Sequence, residues 1–217
     1  MPVTPVSVQK SGPRAKSDPT PRGRLIAAAT ELFCQRGINA VGVDSIVETA
    51  GTAKTTLYKL FGSKESLVEA VLAAEGAAWR DWFTAATTAA GETPRERLLS
   101  IFPTLGQWFR QKRFYGCPFI NAVAEHDKTS DRLRDMALGH KRQVLAHIRD
   151  LGVGAGVRDP DRLTHEIALL IDGAIVAAMI TKDPGVADVA QKALQTLLDE
   201  QAETEPRRRE TSAPADR

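Results

Sequence analysis

The sequence predicts an all-α chain, a group of short helices at the N-terminal end running into a larger helical body. Three features carry that expectation. Alanine is plentiful and aromatics make up 6% of the 217 residues, a balance that favours helix over sheet. No stretch alternates apolar and polar residues beyond a few positions, so strands are not expected. Apolar residues instead recur at helical spacing between glycines and prolines that fall where helices end and begin.

Each element has a local reason. Pro21 suits a first helical turn with Thr20 as its cap, and Leu25, Ile26, Ala29, Leu32 and Phe33 give one apolar face up to Arg36, where Gly37 stops the helix. A second helix spans 43–50 with Ile46 and Val47 inward, and Gly51 ends it. A third spans 53–61 with Leu57, Leu60 and Phe61 inward, and Gly62 ends it. Ser63 caps the fourth, which begins at Lys64 and continues to about 90. Further helices are expected over 94–112, 117–125, 127–151, 160–181 and 184–201. Residues 1–20, rich in Pro, Ser, Thr and Lys, read as a disordered basic arm, and 203–217 as a disordered tail. The domain division expected is 21–66 for the first unit and 67–202 for the body.

Two short helices joined by a Gly-containing turn form a helix-turn-helix, whose second helix enters the DNA major groove. That explains the polar side of 53–61. The hydroxyls of Thr55 and Thr56 allow close approach to base edges, and Thr52, in the turn before, is either a further contact or a partly solvated turn residue. Lys54 and Lys59 can neutralise phosphate or reach guanine acceptors, and Tyr58 can offer its hydroxyl to a phosphate. Ser63 and Lys64 sit at a helix N-terminus, which favours an anion. Charge agrees: residues 1–64 hold nine Lys/Arg and four Asp/Glu, an excess of five positive charges, while the whole chain is +2. Arg14, Lys16, Arg22 and Arg24 are candidates for a minor-groove arm.

The stretch AAATELFCQRGINAVGVDSIVETAGTAKTTLYKLFGSKESLVEAV resembles the N-terminal domain of the TetR/AcrR family of bacterial transcriptional regulators. The shared features are the LF…RG of the first helix, the AG turn, TLY, and the F-x-S-K-E-x-L that opens the fourth helix. Gly42 stands where Thr or Ser is common, and Thr52 where an apolar residue is common. The resemblance implies a three-helix DNA-binding domain followed by a helical ligand-binding and dimerisation domain. It also implies a homodimer on palindromic double-stranded operator DNA, a repressor released by a small-molecule effector. The fourth helix is the expected lever between the two.

In the body, candidate effector residues are the aromatics Trp79, Trp82, Phe83, Phe102, Trp108 and Phe109, with Cys117, Asn121, Glu125, His140 and Asp172 as polar points. Cys117, Asn121 and Glu125 recur at four-residue spacing in FYGCPFINAVAEH, a run similar to a segment in one subgroup of these regulators. Candidate dimer residues are Ile167, Leu170, Ile171, Ala174 and Ala178 on one helix and Ala190, Leu194 and Leu197 on the next. Two such helices from each copy would make a four-helix bundle on a two-fold axis.

Other classes were weighed. An all-α small-molecule enzyme needs a nucleophile–base pair, a phosphate-cradling glycine loop or a metal motif, and none has credible spacing, so no catalytic residue, metal or cofactor is expected. A helix-turn-helix adaptor that binds a protein partner is the remaining alternative. Two cysteines do not make a disulfide framework, no apolar signal segment opens the chain, and Ile167–Ile180 is short and carries Asp172. A cytoplasmic protein without a membrane span is the expectation.

Overall fold

The computed structural model describes residues 18–125 and 131–202, together with Pro13. The arm residues Arg14 and Lys16, His126 and the tail 203–217 lie outside the described residues. Within them the chain forms α1 Pro21–Arg36, α2 Val43–Ala50, α3 Lys54–Phe61, α4 Lys64–Ala89, α5 Pro94–Leu99, α6 Ile101–Phe109, α7 Pro118–Glu125, α8 Arg132–Gly154, α9 Pro160–Thr181 and α10 Val186–Ala202.

The caps are chemical. Thr20 accepts from the Gly23 amide at 3.1 Å and Ser63 from the Ser66 amide at 3.1 Å. Gly51 takes the left-handed conformation (φ 59°) that turns the chain from α2 into α3. The helix expected over 94–112 is instead two, broken at Ser100 and ending at Phe109. Pro103 lacks the amide that would donate to the Leu99 carbonyl, and its ring crowds that turn. The Ser100 hydroxyl donates to the Arg97 carbonyl at 2.7 Å there.

Two cores result. The first joins Leu25, Ala29, Phe33, Ile46 and Leu57 of the three short helices with Leu67, Val68, Val71 and Leu72 of α4. The second joins Trp79 and Phe83 of α4 with α5, α6 and α8–α10. The expected division at 66/67 therefore falls inside a shared helix: the first third of α4 packs with the N-terminal head, the rest with the body. Phe119 and Ala122 of α7 belong to the head core although α7 lies in the body sequence. α9 is apolar and long enough to cross a membrane by length and composition (mean hydropathy 1.7 over its apolar window). It packs on α6, α8 and α10 and carries Asp172 in an ion pair with Lys141.

Candidate nucleic-acid interface and effector cavity

α3 lies on the head with Leu57 fully buried beneath it. Its other side is open: Thr55, Lys59 and Tyr58 (46% exposed) face outward, and Thr56 is half-buried. The expected lysines differ in their commitments. Lys54 pairs with Asp44 of α2 at 2.8 Å, which raises its pKa through the hydrogen bond and the charge. Lys64 Nζ donates to the Ile38 carbonyl at 2.6 Å, pinning the α1–α2 loop to the start of α4. Lys59 has no partner among the described residues. Ser63 Oγ is occupied as the α4 cap. The Thr52 hydroxyl is buried with no hydrogen-bond partner, so it packs in the turn. Arg22 lies over the Phe61 ring at 5.4 Å, and Arg24 donates to the Ala50 carbonyl at 3.1 Å. Both arginines brace the head. Gly42 at the α2 N-cap makes no side-chain bond, as its lack of a hydroxyl dictates.

The body holds a half-open cavity of about 440 Å³ bounded by α4, α6, α7, α8 and α9. Its wall is mostly apolar. Of the eleven effector candidates, Trp79, Trp108, Cys117, His140 and Asp172 line it. Phe83, Phe102 and Phe109 are buried in the body core instead, and Trp82 packs against that core. Asn121 and Glu125 point from α7 to the head, bordering a small cleft against α1 and α4. Asn121 Nδ2 donates to the Tyr115 carbonyl at 3.1 Å. Glu125 accepts from the Asn39 amide at 3.2 Å, and its own carbonyl accepts from Asn39 Nδ2 at 2.7 Å. The expected row of Cys117, Asn121 and Glu125 thus splits, because Cys117 precedes α7 and its neighbours Ile120, Val123 and Ala124 form the cavity face. Lys141 and Arg134 were not foreseen as lining residues. An aspartate inside the apolar run 167–180 is a signal for a cationic partner on a neighbouring helix, and half-buried Lys141 is that partner.

α7 therefore has two faces, one on the cavity and one on the head. Phe119 stacks on His140 (centroids 4.3 Å apart, 15° between planes). A Cβ on Gly76 would meet the Phe119 ring at 2.8 Å, so α4 can approach α7 this closely only with glycine there. Further ties cross from body to head: Arg113 to Glu31 at 2.7 Å, and Arg132 Nη2 to Glu69 at 2.6 Å.

Burial pushes the thiols of Cys34, to about 11, and Cys117 upward, so both are protonated at neutral pH and lack thiolate reactivity. Among the described residues no group of three or more His, Cys, Asp or Glu is placed to hold a metal ion.

The dimer candidates divide sharply. Ile167, Ile171, Ala174, Ala178, Ala190 and Leu194 are all buried within one copy, and Ile171 borders the cavity. Leu170 and Leu197 are half-buried. The outward stripe lies on other residues of the same helices: Leu169 (74% exposed), Ile180 (71%) and Val189 (71%).

An open recognition helix on a small head, a helical body with an apolar cavity and a helix shared by both define a helix-turn-helix transcriptional regulator. Residues 25–71 match the family model for bacterial regulatory proteins of the tetR family, and 94–194 match the tetracyclin repressor-like C-terminal domain. The chain belongs to the TetR family. It is 49% identical over 51 residues to the HTH-type transcriptional activator FasR of Mycolicibacterium smegmatis, covering 24% of this chain and 23% of that one. It is 29% identical over 126 residues to the HTH-type transcriptional repressor NemR of Escherichia coli, covering 58% of this chain and 63% of that one. A tetR-type transcriptional regulator (sav143) from Streptomyces avermitilis superposes with a TM-score of 0.72 at 30% identity, covering 84% of this chain and 98% of the other. The protein is a transcriptional regulator and not an enzyme.

Proposed function

We propose that the chain is a ligand-responsive repressor that grips palindromic operator DNA as a homodimer in the cytoplasm and releases it when a small molecule enters the body cavity. The observation that carries this reading is the placement of α7 between the cavity and the head core. A molecule seated against Phe119, Ile120 and Val123 presses on the helix whose opposite face holds Asn39 and the α1–α2 loop. Release requires that the effector bind the DNA-free conformation more tightly, and DNA must then weaken effector binding by the same factor, typically about 5–150-fold. α4 and α7 share the lever role expected of α4 alone. The similarity to NemR over more than half of this chain supports repression, while the match to FasR, named an activator, covers only 24% of it.

Thr55 and Thr56 read bases, Lys59 and Tyr58 contact phosphate, and Lys54 joins them on exchanging Asp44 for the DNA. Lys64 and Ser63 set the geometry of the α4 N-terminus toward the backbone. The dimer forms through Leu169, Leu170, Ile180, Val189 and Leu197, an apolar stripe that would otherwise stay in water. Leu169→Arg with Val189→Arg should convert the particle from two chains to one of 23.5 kDa by light scattering and abolish palindrome binding. A persistent dimer would rule out this face. Selection and sequencing of bound genomic fragments tests the whole reading: an enriched palindrome supports it, and no enrichment by a folded dimer counts against it.

A further inference from the structure

The effector cavity offers an unusual set of polar groups. His140 Nδ1 lies 2.9 Å from Arg80 Nη1. A guanidinium can only donate, so Nδ1 accepts and the ring proton sits on Nε2. Burial, with Arg80 and Lys141 nearby, pushes the His140 pKa down to about 4, so the ring is neutral at neutral pH. No described residue partners Nε2, and the ring is fixed by its stack on Phe119 and its edge contact with Trp79 (centroids 5.7 Å apart). The next residue, Lys141, also lines the cavity and brings three donors, one of them given to Asp172.

The acidic groups are less available. Asp172 is already held by Lys141. Glu75 also lines the cavity, but it already has an interaction of its own. Arg134, the other charged residue on the wall, pairs with Asp131 at 2.6 Å. An ammonium at Asp172 would have to displace Lys141 and would then sit beside that like charge.

From this arrangement we infer that the effector is a ring-bearing, largely apolar molecule with a carbonyl or carboxylate oxygen, which accepts from His140 Nε2 and Lys141, and not an amine. The inference rests on the reading of the cavity as the effector site. The aromatic wall of Trp79, Trp108 and Phe119 takes the ring, and the volume suits a molecule at the small end of ligand size.

The test is calorimetric titration of the full chain with four matched probes: biphenyl-4-carboxylate, 4-acetylbiphenyl, 4-ethylbiphenyl and biphenyl-4-methylamine. Tryptophan emission serves as the site reporter. The acid should bind about tenfold or more tighter than the ethyl compound and the ketone severalfold tighter, as charged and neutral hydrogen bonds differ. The amine should bind weakest. His140→Phe keeps the stack on Phe119 and should erase the ketone's advantage, and Lys141→Met should erase most of the acid's. The amine binding best, equal binding of all four, or variants that keep the oxygen preference would each overturn the inference while leaving the cavity as an effector site. If none of the four binds, the effector-cavity reading fails and the inference with it.

Discussion

Phe119→Ala should lower the thermal unfolding midpoint by roughly 6–20 °C and leave operator binding insensitive to any cavity ligand. The first part follows from burial. The ring is 5% exposed, stacked on His140 and seated over Gly76, and truncating such a phenylalanine costs about 3–5 kcal/mol. In a chain of this size about 1 kcal/mol shifts the midpoint by roughly 2–4 °C. The second part follows from position, since Phe119 is at once a wall of the cavity and a member of the head core. Phe119→Leu separates the effects. It restores much of the apolar volume and should recover most of the stability, while the flat contact with His140 stays lost. Calorimetry and a DNA-release titration read the two quantities independently. A midpoint within about 2 °C of the parent for Phe119→Ala would contradict the packing argument.

Lys59→Ala should weaken binding to every DNA sequence by roughly 50–100-fold at 0.1 M salt, with a salt slope shallower by about two. Lys59 is exposed on α3 and has no partner among the described residues, so it is the recognition-helix lysine most ready to neutralise phosphate. Each neutralised phosphate contributes about 0.9 to the slope of log affinity against log salt. A two-fold dimer places two copies on the operator, so about 1.8 logarithmic units disappear at 0.1 M. Thr55→Ala gives the contrast, because a hydroxyl on base edges changes the ranking of sequences and leaves the slope alone. Fluorescence anisotropy across a salt series measures both. An unchanged slope for Lys59→Ala would remove it from the phosphate contacts.

The head was legible in the sequence because its determinants are local. Thr20 before Pro21, Ser63 before Lys64 and the left-handed Gly51 act within a few residues, and the structure places helix ends where they require. The division of the 94–112 helix was also written locally, in Pro103, whose missing amide acts one turn earlier. The body's surfaces were not local. α7 and α9 are apolar on more than one side, and periodicity gives the width of an apolar face but not the neighbour it meets. Hence Asn121 and Glu125, expected at the effector, face the head. The row Ile167–Ile171–Ala174–Ala178, expected at a dimer surface, is buried within one copy, while Leu169 and Ile180 face outward among equally apolar residues. Among the aromatics, which of Phe83, Phe102 and Trp108 borders a void depends on how five helices meet.

On the proposed function, the Asp44–Lys54 pair makes DNA capture an exchange reaction. In free protein the carboxylate stands in for a phosphate, holding the lysine near α2 and cancelling its charge. A lysine that takes a DNA phosphate gives up that partner, and Asp44 then lies beside a polyanion in the first turn of α2, where the helix dipole favours a negative charge. The loss is the same on every stretch of DNA, but only a site that lets α3 seat deeply returns a phosphate in its place. A single surface ion pair would then act as a toll on loose, nonspecific contact, shortening the time the regulator dwells on the wrong sequence while it searches.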